Sequence, residues 1–163
     1  LADRVRVLGV DHPDTLGSGN NLAHAYESAG EPGRAIKLHE QTLADMVRVL
    51  GPNHPDTLTS RNNLALAYRS VGDLDQAVPL FERTLADRVR VLGANHPSTL
   101  KSRNNLAGAY RSAGELGRAI KLHEQTLADM MRVLGPDHPL TGTARSNLTI
   151  AVAERDGDEP RQL

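Results

Sequence analysis

The stretch LGPNHPDTL, residues 50–58, recurs at a fixed interval along the chain. It returns as LGVDHPDTL at 8–16, as LGANHPSTL at 92–100 and, more weakly, as LGPDHPLTG at 134–142, which gives a period of 42 residues. The segment GRAIKLHEQTLADM also occurs twice without change, at 33–46 and at 117–130. A period between about 20 and 50 residues is typical of solenoids, in which one supersecondary unit stacks on copies of itself.

Each unit contains two helical patterns. In the second unit Arg61, Leu64, Ala65 and Tyr68 follow the spacing i, i+3, i+4 and i+7, which marks one face of a helix. A second helix is predicted over about 74–92, after a short turn. A single helix pair of this kind cannot bury its apolar face, so neighbouring pairs must stack. The sequence therefore predicts an all-α fold of stacked antiparallel helix pairs, an α-solenoid.

These patterns predict one helical repeat domain over residues 1–155. The chain begins in mid-pattern and without Met, so we expect it to be a fragment of a longer protein. The C-terminal tail has no apolar periodicity and is expected to be flexible. The predicted boundaries are a partial second helix at 1–8, complete units at about 14–50, 56–92 and 98–134, a lone first helix at about 140–154 and a tail at 156–163.

The composition excludes several classes of function. The formal net charge is -1, which favours neither nucleic acid nor an anionic membrane as a partner. Aromatic residues make up 2% of the chain, too few for a surface on which bases could stack. The chain has no Cys and hence no disulfide or thiolate chemistry, and no apolar run is long enough to span a bilayer. We expect a cytoplasmic protein that binds neither nucleic acid nor membrane.

The repeated residues resemble a known family, the tetratricopeptide repeats, and specifically the 42-residue kinesin light chain variety. The family has a small residue at the start of the second helix, matched by Ala35, Ala77 and Ala119. It has a large residue four positions later, which here is Phe81 in one unit and His in the other two. The family's Leu-small-Tyr pattern of the first helix is matched by Leu22, Ala23 and Tyr26, by Leu64, Ala65 and Tyr68, and by Leu106, Ala107 and Tyr110.

The resemblance implies a right-handed superhelix whose first helices line a concave groove that binds a peptide or a partner segment. It further implies that paired asparagines and nearby basic residues bind the backbone of a short, often acidic peptide. Helical spacing agrees, because Asn62 shares a stripe with Thr59, Leu66 and Arg69 and lies beside the core stripe. An amide both donates and accepts hydrogen bonds, as a peptide backbone does.

We therefore expect a peptide-binding groove with no catalytic residues and no cofactor. The first Asn of each pair is expected to contact the ligand. For the second we leave open whether it faces the groove or bonds the adjacent helix, as a buried amide can. The predicted groove residues are Asn20, Asn21, His24, Glu27, Thr59, Asn62, Asn63, Leu66, Arg69, Lys101, Asn104, Asn105, Arg111, Thr143 and Asn147.

The histidines do not predict a metal site. One His recurs in each unit before a Pro, at 12, 54, 96 and 138. Equivalent residues of stacked helices are on the order of 10 Å apart, whereas metal ligands lie about 2 Å from one ion. These four residues are expected to cap or pack at helix starts. His39 and His123 occupy the slot of Phe81, for which we expect a packing role.

Two other functions compete with a protein-interaction scaffold. The chain could be the sensor or regulatory arm of a larger signalling protein, such as a nucleotide-dependent switch ATPase. It could also self-associate head to tail through its exposed terminal helices, since a heterologous contact of that kind extends an array. No catalytic constellation is evident in the sequence, so we do not expect an enzyme.

Overall fold

The computed structural model describes residues 2–158 of the chain and its side chains from 5 to 157. Eight α-helices and no strand are found within that range. They run α1 Ala2–Leu8, α2 Pro13–Ser28, α3 Pro32–Leu50, α4 Pro55–Ser70, α5 Leu74–Leu92, α6 Pro97–Ser112, α7 Leu116–Leu134 and α8 Pro139–Asp158.

The helix starts follow from the repeated His-Pro dipeptide. Proline occupies the first position of α2, α4, α6 and α8, where its missing N–H costs no helical hydrogen bond. The Nδ1 atom of the preceding His accepts a hydrogen bond from the backbone N–H two residues later, at 3.1–3.2 Å in all four cases. The histidines expected to cap helices therefore do so, in the manner of an Ncap side chain.

The helix ends are set by glycine at a spacing of 21 residues, half of the repeat. At these positions φ lies between 74° and 93°, the left-handed region that only glycine enters without steric cost. The φ values are close to 90° after α1, α3, α5 and α7 and between 74° and 80° after α2, α4 and α6. The seven residues are Gly9, Gly30, Gly51, Gly72, Gly93, Gly114 and Gly135.

The chain divides into two compact units, one up to residue 80 and one from residue 81 onward. In the first unit α3 packs against both α2 and α4, and in the second unit α7 packs against both α6 and α8. α5 contains the boundary and also contains Pro79 in its interior. Helices that follow one another in the sequence are thus neighbours within each unit, as the repeat predicts.

Both units bury the same positions of the repeat. The small residues that open the second helices, Ala35, Ala77 and Ala119, have no exposed surface. His39, Phe81 and His123, which share one slot, are also fully buried. In the second unit Leu100, Met130 and Ala144 form a cluster that joins α6, α7 and α8. The lone first helix α8 is therefore packed as the complete units are.

The observed helices agree with the predicted boundaries except at the C-terminal end. α8 continues through residues 156–158, which were assigned to the flexible tail. The rest of that tail, residues 159–163, lies outside the described residues. Among residues 2–158, no helix combines the length and the hydropathy that crossing a membrane requires.

Candidate functional site

A pocket lies between α2 and α4 in the first unit, and we call this surface the α2/α4 face. Its volume is about 400 Å³, and Met46 of α3 contributes to its lining. Five of the predicted groove residues border it: Asn20, Asn21, His24, Thr59 and Asn63. The only charged side chains among its lining residues are the two carboxylates Asp14 and Asp56, so this pocket is acidic rather than basic.

The first asparagine of each pair is buried, contrary to the expectation that it faces a ligand. Asn20, Asn62 and Asn104 are 8%, 4% and 8% exposed. Asn20 Oδ1 accepts a hydrogen bond from Ser60 Oγ of α4 at 3.2 Å and lies 3.2 Å from His39 Nδ1 of α3. The first Asn therefore bonds neighbouring helices, because the next first-helix packs against the side of α2 on which Asn20 lies.

The second asparagine of each pair is the more accessible one. Asn21 is exposed, and Asn63 and Asn105 are half-buried. The side chains of Asn21 and Asn63 border the pocket of the α2/α4 face, and neither makes a hydrogen bond to another residue within the described range. The order expected within each pair is thus reversed, with the first amide in the helix contacts and the second towards the open surface.

The corresponding surface of the second unit, the α6/α8 face, has different chemistry. Asn147 Nδ2 donates to Asn104 Oδ1 at 3.3 Å, so a predicted groove residue joins α8 to α6. Arg111 Nη1 donates to Glu154 Oε1 of α8 at 2.8 Å, and both side chains are partly exposed. A second cavity of about 460 Å³ adjoins this ion pair. Lys101 is exposed on α6.

The remaining predicted residues have no common environment. Leu66 and Arg69 are half-buried on α4. Thr59 and Thr143 are exposed, and their hydroxyls donate to the carbonyls of Pro55 and Pro139 four residues earlier, at 2.9 and 3.1 Å. Each hydroxyl therefore already has an acceptor within its own helix, and only its lone pairs are open to a ligand.

The structure also brings together three residues that the sequence did not connect. His24 and Glu27 of α2 lie at i and i+3, and His24 Nδ1 is 2.8 Å from Glu27 Oε2. His39 Nε2 of α3 is 3.5 Å from Glu27 Oε1. The two imidazole rings meet edge to face with centroids 5.1 Å apart. The i, i+3 spacing was visible in the sequence, but the packing of α3 on α2 was needed to add His39.

The two buried histidines are both held in the neutral form. Burial lowers the pKa of His39. Burial, with a further contribution from the Arg111 guanidinium, lowers the pKa of His123 to about 4. A buried His that finds no compensating charge favours its uncharged state, because the charged form loses its hydration.

Two tyrosines show how the units orient their second helices. Tyr68 Oη donates to Glu40 Oε1 and Tyr110 Oη donates to Glu82 Oε1, each at 2.5 Å. The Arg118 guanidinium lies over the Tyr110 ring, 3.8 Å from its centroid, and also donates to its hydroxyl at 2.6 Å. Burial and the carboxylate raise the pKa of Tyr110 to about 12. These groups contact one another, and their geometry is that of a structural network rather than a reactive centre.

Comparisons with known proteins agree with this architecture. The tetratricopeptide repeat family model matches residues 14–88 and 69–131. The chain is similar to a Podosopora anserina protein assigned as a kinesin light chain, with nearly identical TPR-like repeats. The structure of a variant of that protein is 33% identical, with a TM-score of 0.79 over 97% of this chain and 74% of that chain. A second structure of the same protein gives a TM-score of 0.77 at 33% identity, over 97% and 75% of the two chains.

A further solved structure, BtubC (BKLC) from P. vanneervenii, shares the fold at 24% identity. Its TM-score is 0.78, over 89% of this chain and 58% of that chain. No curated protein matches the chain significantly. The family match extends over most of the helices, and the recurring Leu-Ala-Tyr and His-Pro residues have the places that the repeat requires. The chain therefore belongs to the tetratricopeptide repeat family, and within it to the kinesin light chain-like group with its α-solenoid fold.

Proposed function

We propose that this protein is an interaction scaffold that binds an extended segment of a partner protein on the α2/α4 face. The observation that supports this most directly is the state of Asn21 and Asn63. Both amides border a pocket of about 400 Å³, and neither has a hydrogen-bond partner among the side chains that the structure describes. An extended backbone offers N–H and C=O groups in alternation, which the donors and acceptors of two amides can satisfy.

The binding test compares two alanine variants with a matched control. A peptide display library is selected against the intact chain, and the affinities of the recovered peptides are measured for Asn21→Ala and Asn63→Ala. Each substitution is expected to weaken binding by roughly two- to tenfold, since a net hydrogen bond contributes about 0.5–1.5 kcal/mol. Gln76→Ala removes an exposed amide outside the pocket and is expected to leave affinity unchanged. Equal affinity in all three variants would refute binding at this face.

The expected preference for acidic partners is proposed only for the α6/α8 face. Lys101 is exposed there, but the Arg111 guanidinium is already paired with Glu154 at 2.8 Å. An acidic segment would have to compete with this carboxylate. Glu154→Gln should therefore strengthen binding of an acidic peptide, whereas Arg111→Gln should weaken it, and both effects should shrink as salt screens the charges. If Glu154→Gln leaves the affinity unchanged, the segment does not bind at Arg111.

Head-to-tail self-association is a second candidate function, supported by one exposed side chain. Val7 of α1 is 73% exposed, whereas its counterparts Val49, Val91 and Val133 are 36%, 38% and 38% exposed. In an array, a further helix pair on this side would cover Val7. Light scattering after size exclusion, over a hundredfold range of concentration, is expected to show growth that Val7→Asp abolishes. A monomer at every concentration would rule out this function.

A further inference from the structure

We propose that His24, Glu27 and His39 form a binding site for one divalent transition-metal ion of the Zn²⁺ class, which links α2 to α3. Two imidazole nitrogens and a carboxylate are the ligand set that Zn²⁺ takes in many three-residue sites. One ligand atom from each of the three residues lies within 4.8 Å of the others. The proposal is independent of partner binding, because it concerns the metal alone.

The distances are close to those that a metal would impose. Around a tetrahedral zinc ion with bonds of about 2.0–2.1 Å, ligand atoms lie about 3.3 Å from one another. Here Glu27 Oε2 is 2.8 Å from His24 Nδ1, and Glu27 Oε1 is 3.5 Å from His39 Nε2. Small side-chain rotations bring the three atoms to one centre. The fourth position opens to water, since the His24 side chain is 46% exposed.

The environment of His39 indicates which nitrogen would bind the ion. Its Nδ1 lies 3.2 Å from Asn20 Oδ1, an amide oxygen that also accepts from Ser60. Because an amide oxygen only accepts hydrogen bonds, Nδ1 carries the proton and Nε2 presents its lone pair. A hydrogen bond from the other ring nitrogen is what orients and fixes the tautomer of metal-bound histidines.

The lone pair of His39 Nε2 is left facing another acceptor. The side chain is fully buried, and Nε2 has no hydrogen-bond partner among the described residues. Its neighbour at 3.5 Å is Glu27 Oε1, which as a carboxylate oxygen also only accepts. A cation between the two atoms gives both of them a partner. Neutral His24 would bind through Nδ1 with its proton on Nε2, so this step releases no proton.

The other repeats lack this set, although they have the same backbone unit. Positions 42 residues later carry Leu66, Arg69 and Phe81, and positions 84 residues later carry Gly108, Arg111 and His123. His123 is as buried as His39, yet an arginine replaces the carboxylate and a glycine replaces the exposed imidazole. The third repeat is thus a control within the chain, with the buried His but without its two companions.

The test measures Zn²⁺ binding to the chelator-treated chain by calorimetry. One ion per chain is expected, with an affinity that falls at least about tenfold in Glu27→Gln and in His24→Leu, the latter copying Leu66. His39→Phe copies Phe81 and is expected to abolish the site, whereas His123→Phe, which removes the equivalent buried His, should leave binding unchanged.

A second measurement separates this site from weak binding by surface histidines. Co²⁺ in a tetrahedral site gives intense visible absorption, which is expected in the wild-type chain and in His123→Phe but not in His39→Phe. Should His39→Phe fail to fold, Glu27→Gln serves instead, because Glu27 lies at the surface of α2 and is partly exposed. Zn²⁺ should also raise the melting temperature of the wild type but not of Glu27→Gln. The proposal is overturned if no ion binds below millimolar concentration, or if Glu27→Gln and His24→Leu bind as the wild type does.

Discussion

Ser60 Oγ donates a hydrogen bond to the buried Oδ1 of Asn20 at 3.2 Å, across 40 residues of sequence, and so joins α4 to α2. In the second unit Asn104, at the same position of the repeat, accepts from Asn147 of α8 at 3.3 Å. An asparagine inside a helix is unfavourable for the helix alone. At these positions the amide instead satisfies polar groups between helices that are otherwise packed through apolar and small residues.

The first prediction compares the two members of one asparagine pair. Asn20→Ala leaves the Ser60 hydroxyl and the His39 Nδ1 group without their partner in a buried place. It is expected to lower the free energy of unfolding by about 1–3 kcal/mol. Asn21→Ala, at an exposed position, should change it by no more than about 0.5 kcal/mol. Urea unfolding measures both, and similar losses in the two variants would contradict the assignment of separate roles.

The second prediction concerns two glycines of α2. A Cβ on Gly17 would meet nothing within 4 Å, whereas a Cβ on Gly19 would collide with the Thr42 side chain of α3. Gly17→Ala is expected to stabilise the chain by about 0.5–1 kcal/mol through helix propensity. Gly19→Ala should be less stable than Gly17→Ala by about 1–3 kcal/mol, because the added methyl overpacks the contact. Thermal unfolding of the two variants checks the difference, and equal melting temperatures would exclude a tight α2–α3 contact at Gly19.

The third prediction is a coupling between Arg88 and Ser102. Arg88 is buried, and its Nη1 donates to Ser102 Oγ at 2.7 Å and to the Ser98 carbonyl at 2.9 Å. Burial lowers the pKa of this guanidinium. The equivalent pair in the next repeat is Met130 with Ala144.

Substitution of one partner alone leaves a buried polar group with fewer bonds, so Arg88→Met and Ser102→Ala should each destabilise the chain by about 1–3 kcal/mol. The double variant recreates the apolar pair and is expected to recover part of that loss, as replacements of whole buried polar pairs often do. Urea unfolding of the four proteins gives the coupling energy, expected at about 0.5–3 kcal/mol. Strict additivity would show that the two side chains do not depend on each other.

The fourth prediction is a pH dependence that arises from His123. Its pKa in the folded chain is about 4, below the ordinary value of 6.5. Between these values the unfolded chain binds a proton that the folded chain does not, so stability falls as the pH drops from about 6.5 to 4 and is fully present above that window.

His123→Phe places in this slot the residue that the chain uses at Phe81 and removes the titration. From pH 7 to pH 5 the wild type is expected to lose about 1–2 kcal/mol more than the variant. His39 is present in both proteins, so its own contribution cancels. Denaturant unfolding at the two pH values is the measurement, and parallel losses would show that His123 does not account for the acid sensitivity.

Much of the fold could be predicted because the signals for it are local and repeated. The His-Pro dipeptides specify where four helices begin, and the 42-residue period specifies that each helix pair meets copies of itself. Phe81 and its counterparts His39 and His123 were expected in one packing slot, and all three are buried.

The site was less predictable because adjacent residues on a helix point about 100° apart. Helical spacing showed that Asn20 and Asn21 lie beside the core stripe, but only the position of α4 decides which of them is covered. The meeting of His24 and Glu27 with His39 depends in the same way on how α3 lies against α2. No spacing within one helix contains that information.

The glycines after each helix make the repeat a unit that can be copied. Gly51 and Gly93 end their helices with φ near 90° through a backbone conformation rather than through a particular neighbour. A duplicated segment that runs from one such glycine to the next would bring with it its own stops and its own His-Pro start. Length can therefore change in steps of one whole unit without loss of phase, and a family that grows by recombination needs only to conserve the punctuation.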